Sequence, residues 1–306
     1  MLKARPRWLT GGAGVLTLLL SVSCGGHGSL TNKFTPNPGP PEGGVLGGGG
    51  DAGPDGTVPV LTGDGGGGDG GFGDASAGCP ESATLVYVTG VGSQLWSFYP
   101  PTLKFTLIGT LSCLSSPTHM TVDRQANAWV VSSGMIYKAS TANAACSAVP
   151  TWTPNFGDFT DFALTFVGTT NTVDNTLYLM GNSLGKFNIA TGALTTIAAA
   201  PDPNPIGDMT SNGDGTLFFL LDHTNVTLFD LSPANGSVIS QAPIAATGGG
   251  AQALAFWGGS FYAFENNIIY QYDPIKKTTK SLGMAPLQVT GAGQSTCVPK
   301  VPPPPK

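Results

Sequence analysis

Residues 116–140, "SPTHMTVDRQANAWVVSSGMIYKAS", break into three short apolar runs separated by turn residues. "HMTVD" starts at 119, "NAWVVSS" at 127 and "GMIYKAS" at 134, and polar or glycine positions punctuate each junction. Runs this short, rich in Val, Ile, Trp and Tyr, read as β-strands rather than helices, because β-branched and aromatic side chains suit a pleated surface. The middle run carries apolar residues at consecutive positions, as a strand buried on both faces requires.

The same unit recurs along the chain. Strands like the middle run start at 84 ("TLVYVTG"), 127, 176 ("TLYLMGN"), 216 ("TLFFLLD") and 260 ("SFYAFEN"), a spacing of 40 to 49 residues. Each is followed by a second strand, "SQLWSFYP", "GMIYKAS", "LGKFNIA", "VTLFDLS" or "IIYQYDP", and by a weaker third such as "FTLIGTL" or "TKSLGM". A further strand precedes the recurring one in every unit but the first: "HMTVD", "FALTF", "DMTS" and "ALAFW". Four antiparallel strands per 40 to 50 residues describe the blade of a β-propeller. The expected fold is therefore all-β, a propeller of five four-stranded blades over 79–299, with "TWTPNFGDFTDF" (151–162) left open as a place where a sixth unit could hide.

Pro117, Met120, Val122-Asp123, Asn127, Trp129, Val130 and the Ile136-x-Lys138 strand resemble the repeats of NHL-type and gluconolactonase-like propellers. "YDP" (272–274) and "IATGAL" (189–194) fit the same group. The layout as a whole resembles bacterial lipoproteins that join a glycine-rich leader to a propeller ending in "GAGQSTC". The resemblance implies an architecture and brings no activity with it.

Unit one lacks its innermost strand, and "LQVTGAGQST" (287–296) follows unit five with nothing left to pair it. The expectation is that this C-terminal strand completes blade one and removes two exposed edges. That closure bears on the cysteines. Cys79, Cys113, Cys146 and Cys297 allow three pairings. In a completed blade one, Cys297 and Cys79 meet where other blades have a hairpin loop, so a Cys79–Cys297 disulfide is expected, with Cys113–Cys146 by elimination.

The fifth cysteine, Cys24, stands apart. Lys3, Arg5 and Arg7 precede an apolar run, Val15 to Val22, too short to span a bilayer core of about 30 Å. Leu20-Ser21-Val22-Ser23-Cys24 resembles the lipobox of bacterial lipoproteins, which implies cleavage before Cys24, a lipid on its thiol, and Gly25 at a position compatible with the outer membrane. Residues 1–23 are then a signal peptide. Residues 24–78 form a tether that holds 21 of the chain's 45 glycines, too few apolar side chains to offset ordering entropy, and so are expected to be disordered. Residues 300–306 form a Pro-rich tail.

From Cys79 onward there are 12 Asp plus Glu against 9 Lys plus Arg, and the one basic cluster, Lys276, Lys277 and Lys280, reads as a solvated hairpin turn. Nucleic acid is not an expected partner, since phosphate binding needs clustered cations. Gly181-Asn182-Ser183-Leu184-Gly185 matches G-x-S-x-G, but the repeat places it in a strand-to-strand hairpin, where Ser183 is a turn residue and not a nucleophile. Of the three histidines, His27 falls in the tether, His223 in a loop and His119 on the inner strand of blade two; they form no zinc set, and His119 reads as structural. Gly90-Val91-Gly92 and Gly291-Ala292-Gly293 lack the third glycine and the helix of a nucleotide site. Asp123, Asp222, Glu265 and Asp273 fall at loops or strand ends, and Trp152 and Trp257 read as packing residues. No catalytic residue, metal ligand or cofactor is expected. The expected role is a monomeric, lipid-anchored binding or scaffolding module of the cell envelope, with a protein or glycan ligand at the central channel or one loop face. A propeller hydrolase or lyase of the lactonase type and an outer-membrane assembly partner are the alternatives.

Overall fold

A computed structural model describes residues 79–154, 157–168, 176–223, 226–246 and 251–302. Residues 1–78, with the expected signal sequence, the glycine tract and Cys24, lie outside the described residues. The first three strands of the described region are β1 (Val86–Gly90), β2 (Gln94–Tyr99) and β3 (Lys104–Thr110). Blade two contains β4 (Pro117–Val122), β5 (Asn127–Ser132), β6 (Met135–Ser140) and β7 (Cys146–Ala148). Blade three contains β8 (Ala163–Phe166), β9 (Thr176–Met180), β10 (Ser183–Asn188) and β11 (Ala193–Ala199). Blade four contains β12 (Gly207–Ser211), β13 (Leu217–Leu221), β14 (Thr227–Leu231) and β15 (Val238–Pro243). Blade five contains β16 (Ala251–Trp257), β17 (Ser260–Glu265), β18 (Ile268–Asp273) and β19 (Thr278–Met284). The last strand, β20 (Val289–Gln294), pairs with β1 and heads the sheet β20-β1-β2-β3. The fold is a five-bladed β-propeller whose first blade is completed by its C-terminal strand.

Burial grades outward within each blade as the side chains dictate. Every described residue of β1 and β17 is buried, whereas the outermost strands β3, β11, β15 and β19 expose most of theirs. Blades pack face to face through the recurring strand and its neighbours. Phe98 lies edge-on to Phe264 at 5.7 Å between blades one and five, Trp129 to Phe166 at 5.7 Å between two and three, and Phe218 to Phe261 at 4.7 Å between four and five. Pairs like these contribute about 0.5–1.5 kcal/mol each beyond the area they bury. Two tryptophan N–H groups tie loops and blades together: Trp257 donates to the Thr84 carbonyl at 2.9 Å and Trp152 to that of Gly134 at 2.9 Å. Both rings are buried packing residues.

The segment 151–162 holds no sixth blade: its described residues form no strand. Trp152, Phe159 and Phe162 fold inward instead, and Trp152 contacts Phe162 and Phe187 at 5.1 Å, so the insertion fills the wedge between blades two and three. The Asp123 side chain organises the turn from β4 to β5. It accepts hydrogen bonds from the Gln125 and Asn127 backbone, the Asn127 amide and the Trp129 indole, and pairs with Lys138 at 3.3 Å. Asp273 likewise accepts from the Ile275 and Lys276 backbone in the basic hairpin turn.

The inner strands follow one another around the axis as β20, β4, β8, β12 and β16. β20 approaches β4 so closely that a Cβ on Gly293 would stand 2.4 Å from the Met120 carbonyl oxygen and 2.6 Å from the Thr121 Cα. Glycine there is a condition of closure. Cys79 and Cys297 form one disulfide, with Cα atoms 6.1 Å apart, and Cys113 and Cys146 the other, at 5.8 Å. The first joins β20 to the start of blade one where other blades have a covalent hairpin, and the second links the connection after β3 to β7.

Two outcomes follow from this packing. On the chain-entropy estimate, closing so long a loop constrains the unfolded state by about 5 kcal/mol. Cys79→Ala/Cys297→Ala should therefore shift the guanidinium midpoint down by more than Cys113→Ala/Cys146→Ala, whose 33-residue separation closes a shorter loop. The second concerns Asp230 on β14, opposite Phe218 and Ser240, whose buried Oδ1 has no hydrogen-bond partner and whose carboxyl burial pushes up to about 6. The folded state keeps this proton to higher pH than the unfolded chain, so stability falls as pH rises from about 4 to 6. Thermal melts of Asp230→Asn across that window should lose this part of the slope and be more stable than wild type at pH 7.

Candidate functional site

The propeller axis is occupied by side chains. Gln294, at the end of β20, donates from Nε2 to the Thr210 hydroxyl and, at 2.7 Å, to the Ser211 carbonyl of blade four. Its Oε1 accepts the Phe256 N–H of blade five at 3.1 Å. A residue of blade one thus spans the centre to a blade that is not its neighbour. Gln294 puts a polar tie across the axis that links blades one, four and five.

A second tie crosses nearer one face. His119 on β4 of blade two donates from Nδ1 to Asp208 Oδ1 on β12 of blade four at 3.2 Å. Asp208 is fully buried and also accepts the Met209 N–H at Oδ1 and the Leu254 N–H at Oδ2, each at 2.9 Å. Three donors offset part of the cost of burying this carboxylate, and burial still holds its titration above the ordinary carboxylate value. Fixing Nδ1–H on Asp208 leaves Nε2 as the outward nitrogen, 3.9 Å from Asp161 Oδ1. Burial pushes the imidazole down, but the hydrogen bond to Asp208 and the charges of Asp208 and Asp161 more than reverse that, so His119 titrates above the ordinary histidine value.

With Asp208 buried behind the imidazole, His119 and Asp161 line a cleft of about 430 Å³. It is bounded by the start of β4 (Pro117 to His119), the segment before β8 (Asp158 to Phe162), the β9–β10 turn and the approach to β12 (Asn204 to Gly207). All of these open on the face where inner strands begin, between blades two, three and four. Among its described lining residues none is a lysine or arginine. His119 keeps 14% of its side chain exposed and Asp161 77%. Among the described residues, no group of three or more His, Cys, Asp and Glu is placed to hold a metal ion.

Of the residues singled out by sequence, Ser183 is at the cleft edge but donates to Asp158 Oδ2 at 2.7 Å instead of to an imidazole. Gly181 beside it cannot carry a Cβ, which would fall 2.1 Å from the Asp158 carbonyl oxygen. The G-x-S-x-G match is a clasp between a blade hairpin and the blade two to three connection. His223 lies at the rim, its Nε2 donating to the Asn204 carbonyl at 2.9 Å. Cys24 and His27 lie outside the described residues. His119 is a largely buried histidine held by Asp208 with Asp161 nearby, and neither these two nor Asp158, the acceptor of Ser183, were singled out. A signal for Asp208 did exist: "GDMTS" aligns with "HMTVD" as an inner strand, so both polar side chains enter near the same end of the ring.

No family model matches the chain, and no curated protein sequence matches it. Among solved structures, the chain is similar to one in the crystal structure of a nidogen/laminin complex, at 14% identity over 69% of this chain and 80% of that one, with a TM-score of 0.44.

Gln294→Leu keeps the side-chain size near constant while leaving the Phe256 N–H and the Thr210 hydroxyl without their partner. Such a loss should destabilise the ring by about 2–4 kcal/mol. The measurement is the denaturant midpoint at unchanged m-value, with the β-sheet circular dichroism retained. A loss below about 0.5 kcal/mol would mean that the axis is not held by this residue.

Proposed function

We propose that the protein is a lipid-anchored, non-catalytic binding or scaffolding module of the cell envelope, and that the blade two to four cleft is where its ligand docks. The observation that carries the binding role is the combination of an axis closed by Gln294 with an open, polar cleft on one face. Carboxylates, amides and one imidazole converge there on a rigid frame, the arrangement typical of ligand sites. The lipobox-like Leu20 to Cys24 supplies the anchor, and each lipid CH₂ buried in the bilayer contributes about 0.8 kcal/mol. The outer membrane is the destination we favour.

A second reading has one specific observation in its favour. An imidazole oriented by a buried carboxylate, with its other nitrogen facing a cleft, is the arrangement of a general acid or base. Ser183 is committed to Asp158, so this reading would require water or a substrate group as the nucleophile. A lactonase of the kind the sequence resembles would draw on a bound divalent ion, and among the described residues no three His, Cys, Asp or Glu side chains are grouped to hold one.

Two measurements test the proposal. Cys24→Ala should move the protein from membrane to soluble fractions; retention on membranes would overturn the anchor. For the binding role, Asn204→Trp fills the cleft mouth, while Ile275→Trp alters the exposed β18–β19 turn on the opposite face. Pull-down of envelope components by the Cys24→Ala chain should fail with the first change and persist with the second. Equal effects of the two would place the ligand elsewhere.

A further inference from the structure

Resting on the cleft as the ligand site, we propose that it receives a cationic side chain, a lysine or arginine of a protein partner, and that the proton on His119 gates its entry. The cleft offers that side chain what it needs and offers an anion little. Asp161 is exposed over 77% of its side chain, and its only ion-pair partner within 4 Å among the described residues is His119. Pro205 and Ile206, the latter 56% exposed, give an apolar shelf along which a methylene stem can lie while its head reaches the carboxylates. Asn182 and Asn204 line the same cleft, and none of the described lining residues is a cation that would compete.

The gate follows from how His119 is held. β12 supplies Asp208 to Nδ1, and the segment before β8 supplies Asp161 to Nε2 and Asp158 to the same cleft; β1, β5, β8, β16 and β20, the other strands against β4, carry no Asp, Glu, Lys, Arg or His. When Nε2 carries a proton, the imidazolium is itself the cation facing Asp161. After that proton leaves, Nε2 becomes an acceptor and Asp161 is free to bind an external ammonium or guanidinium. The acidic partners hold His119 above its ordinary titration range, so the imidazolium persists to higher pH than a free histidine would allow. By linkage, a cation that prefers the neutral imidazole must lower the His119 titration by the factor through which deprotonation strengthens binding.

The test uses the full chain carrying Cys24→Ala, with a tri-lysine peptide and the neutral sugar chitotriose as probes, by titration calorimetry from pH 5 to 8 and by NMR of the His119 ring. Tri-lysine affinity should rise by up to about tenfold per pH unit on the acid side of the His119 titration and then level off. Asp161→Asn, a change at an exposed side chain that leaves the fold intact, should weaken tri-lysine at least tenfold, and His119→Gln should remove the pH dependence. Tri-lysine binding that is independent of pH, or equal in Asp161→Asn, would show general attraction to an acidic protein and overturn the inference. Absence of tri-lysine binding in a chain whose His119 ring titrates would also overturn it. Chitotriose binding that Asn204→Trp abolishes would leave the binding module standing and replace its ligand class, whereas cleft filling without effect on any ligand would remove the module reading itself.

Discussion

The pairing of β20 with β1 is the constraint on which the structure depends. A propeller that ended on its own complete blade would close the ring by side-chain packing alone, with no strand from the end of the chain hydrogen-bonded into the first blade. Here Val86 opposes Gln294, Tyr87 opposes Gly293 and Val88 opposes Ala292, so one stretch of residues both closes the sheet and reaches the axis. The Cys79–Cys297 disulfide stands beside that register and joins the two parts of the chain that closure brings together.

Closure determines what the centre is made of. Gly291 and Gly293 let β20 run against β4, and this proximity narrows the axis until one amide, Gln294, reaches across it. Buried polar groups are tolerated there because each finds partners: Asp208 has three donors, and Gln294 uses both its nitrogen and its oxygen. Such ties specify which blades face each other, a task that the interchangeable apolar packing between blades performs less well. The functional surface is correspondingly displaced from the axis to one face, where the 151–162 insertion adds Asp158 and Asp161 to the rim.

Much of this architecture was legible in the residues. The recurring apolar strand, its two-faced burial and the lone strand after unit five are local or periodic features, and they sufficed for blade number, ring closure and both disulfide pairings. The insertion was legible only as an irregularity. Its aromatic residues carry no period, so their inward packing against Phe187 follows from the gap between two blades and not from the segment itself.

The candidate site was legible in fragments: His119 was placed on an inner strand and Ser183 in a hairpin, while Asp208, Asp161 and Gln294 went unremarked. Each of these acts on a partner 38 to 89 positions away, and no spacing rule connects a β4 imidazole to a β12 carboxylate. The sequence by itself determined the blades, because strand propensity and repetition are properties of neighbouring residues. Only the tertiary structure decided that the axis is closed and that the cleft lies to one side, because both depend on the distances at which five inner strands meet.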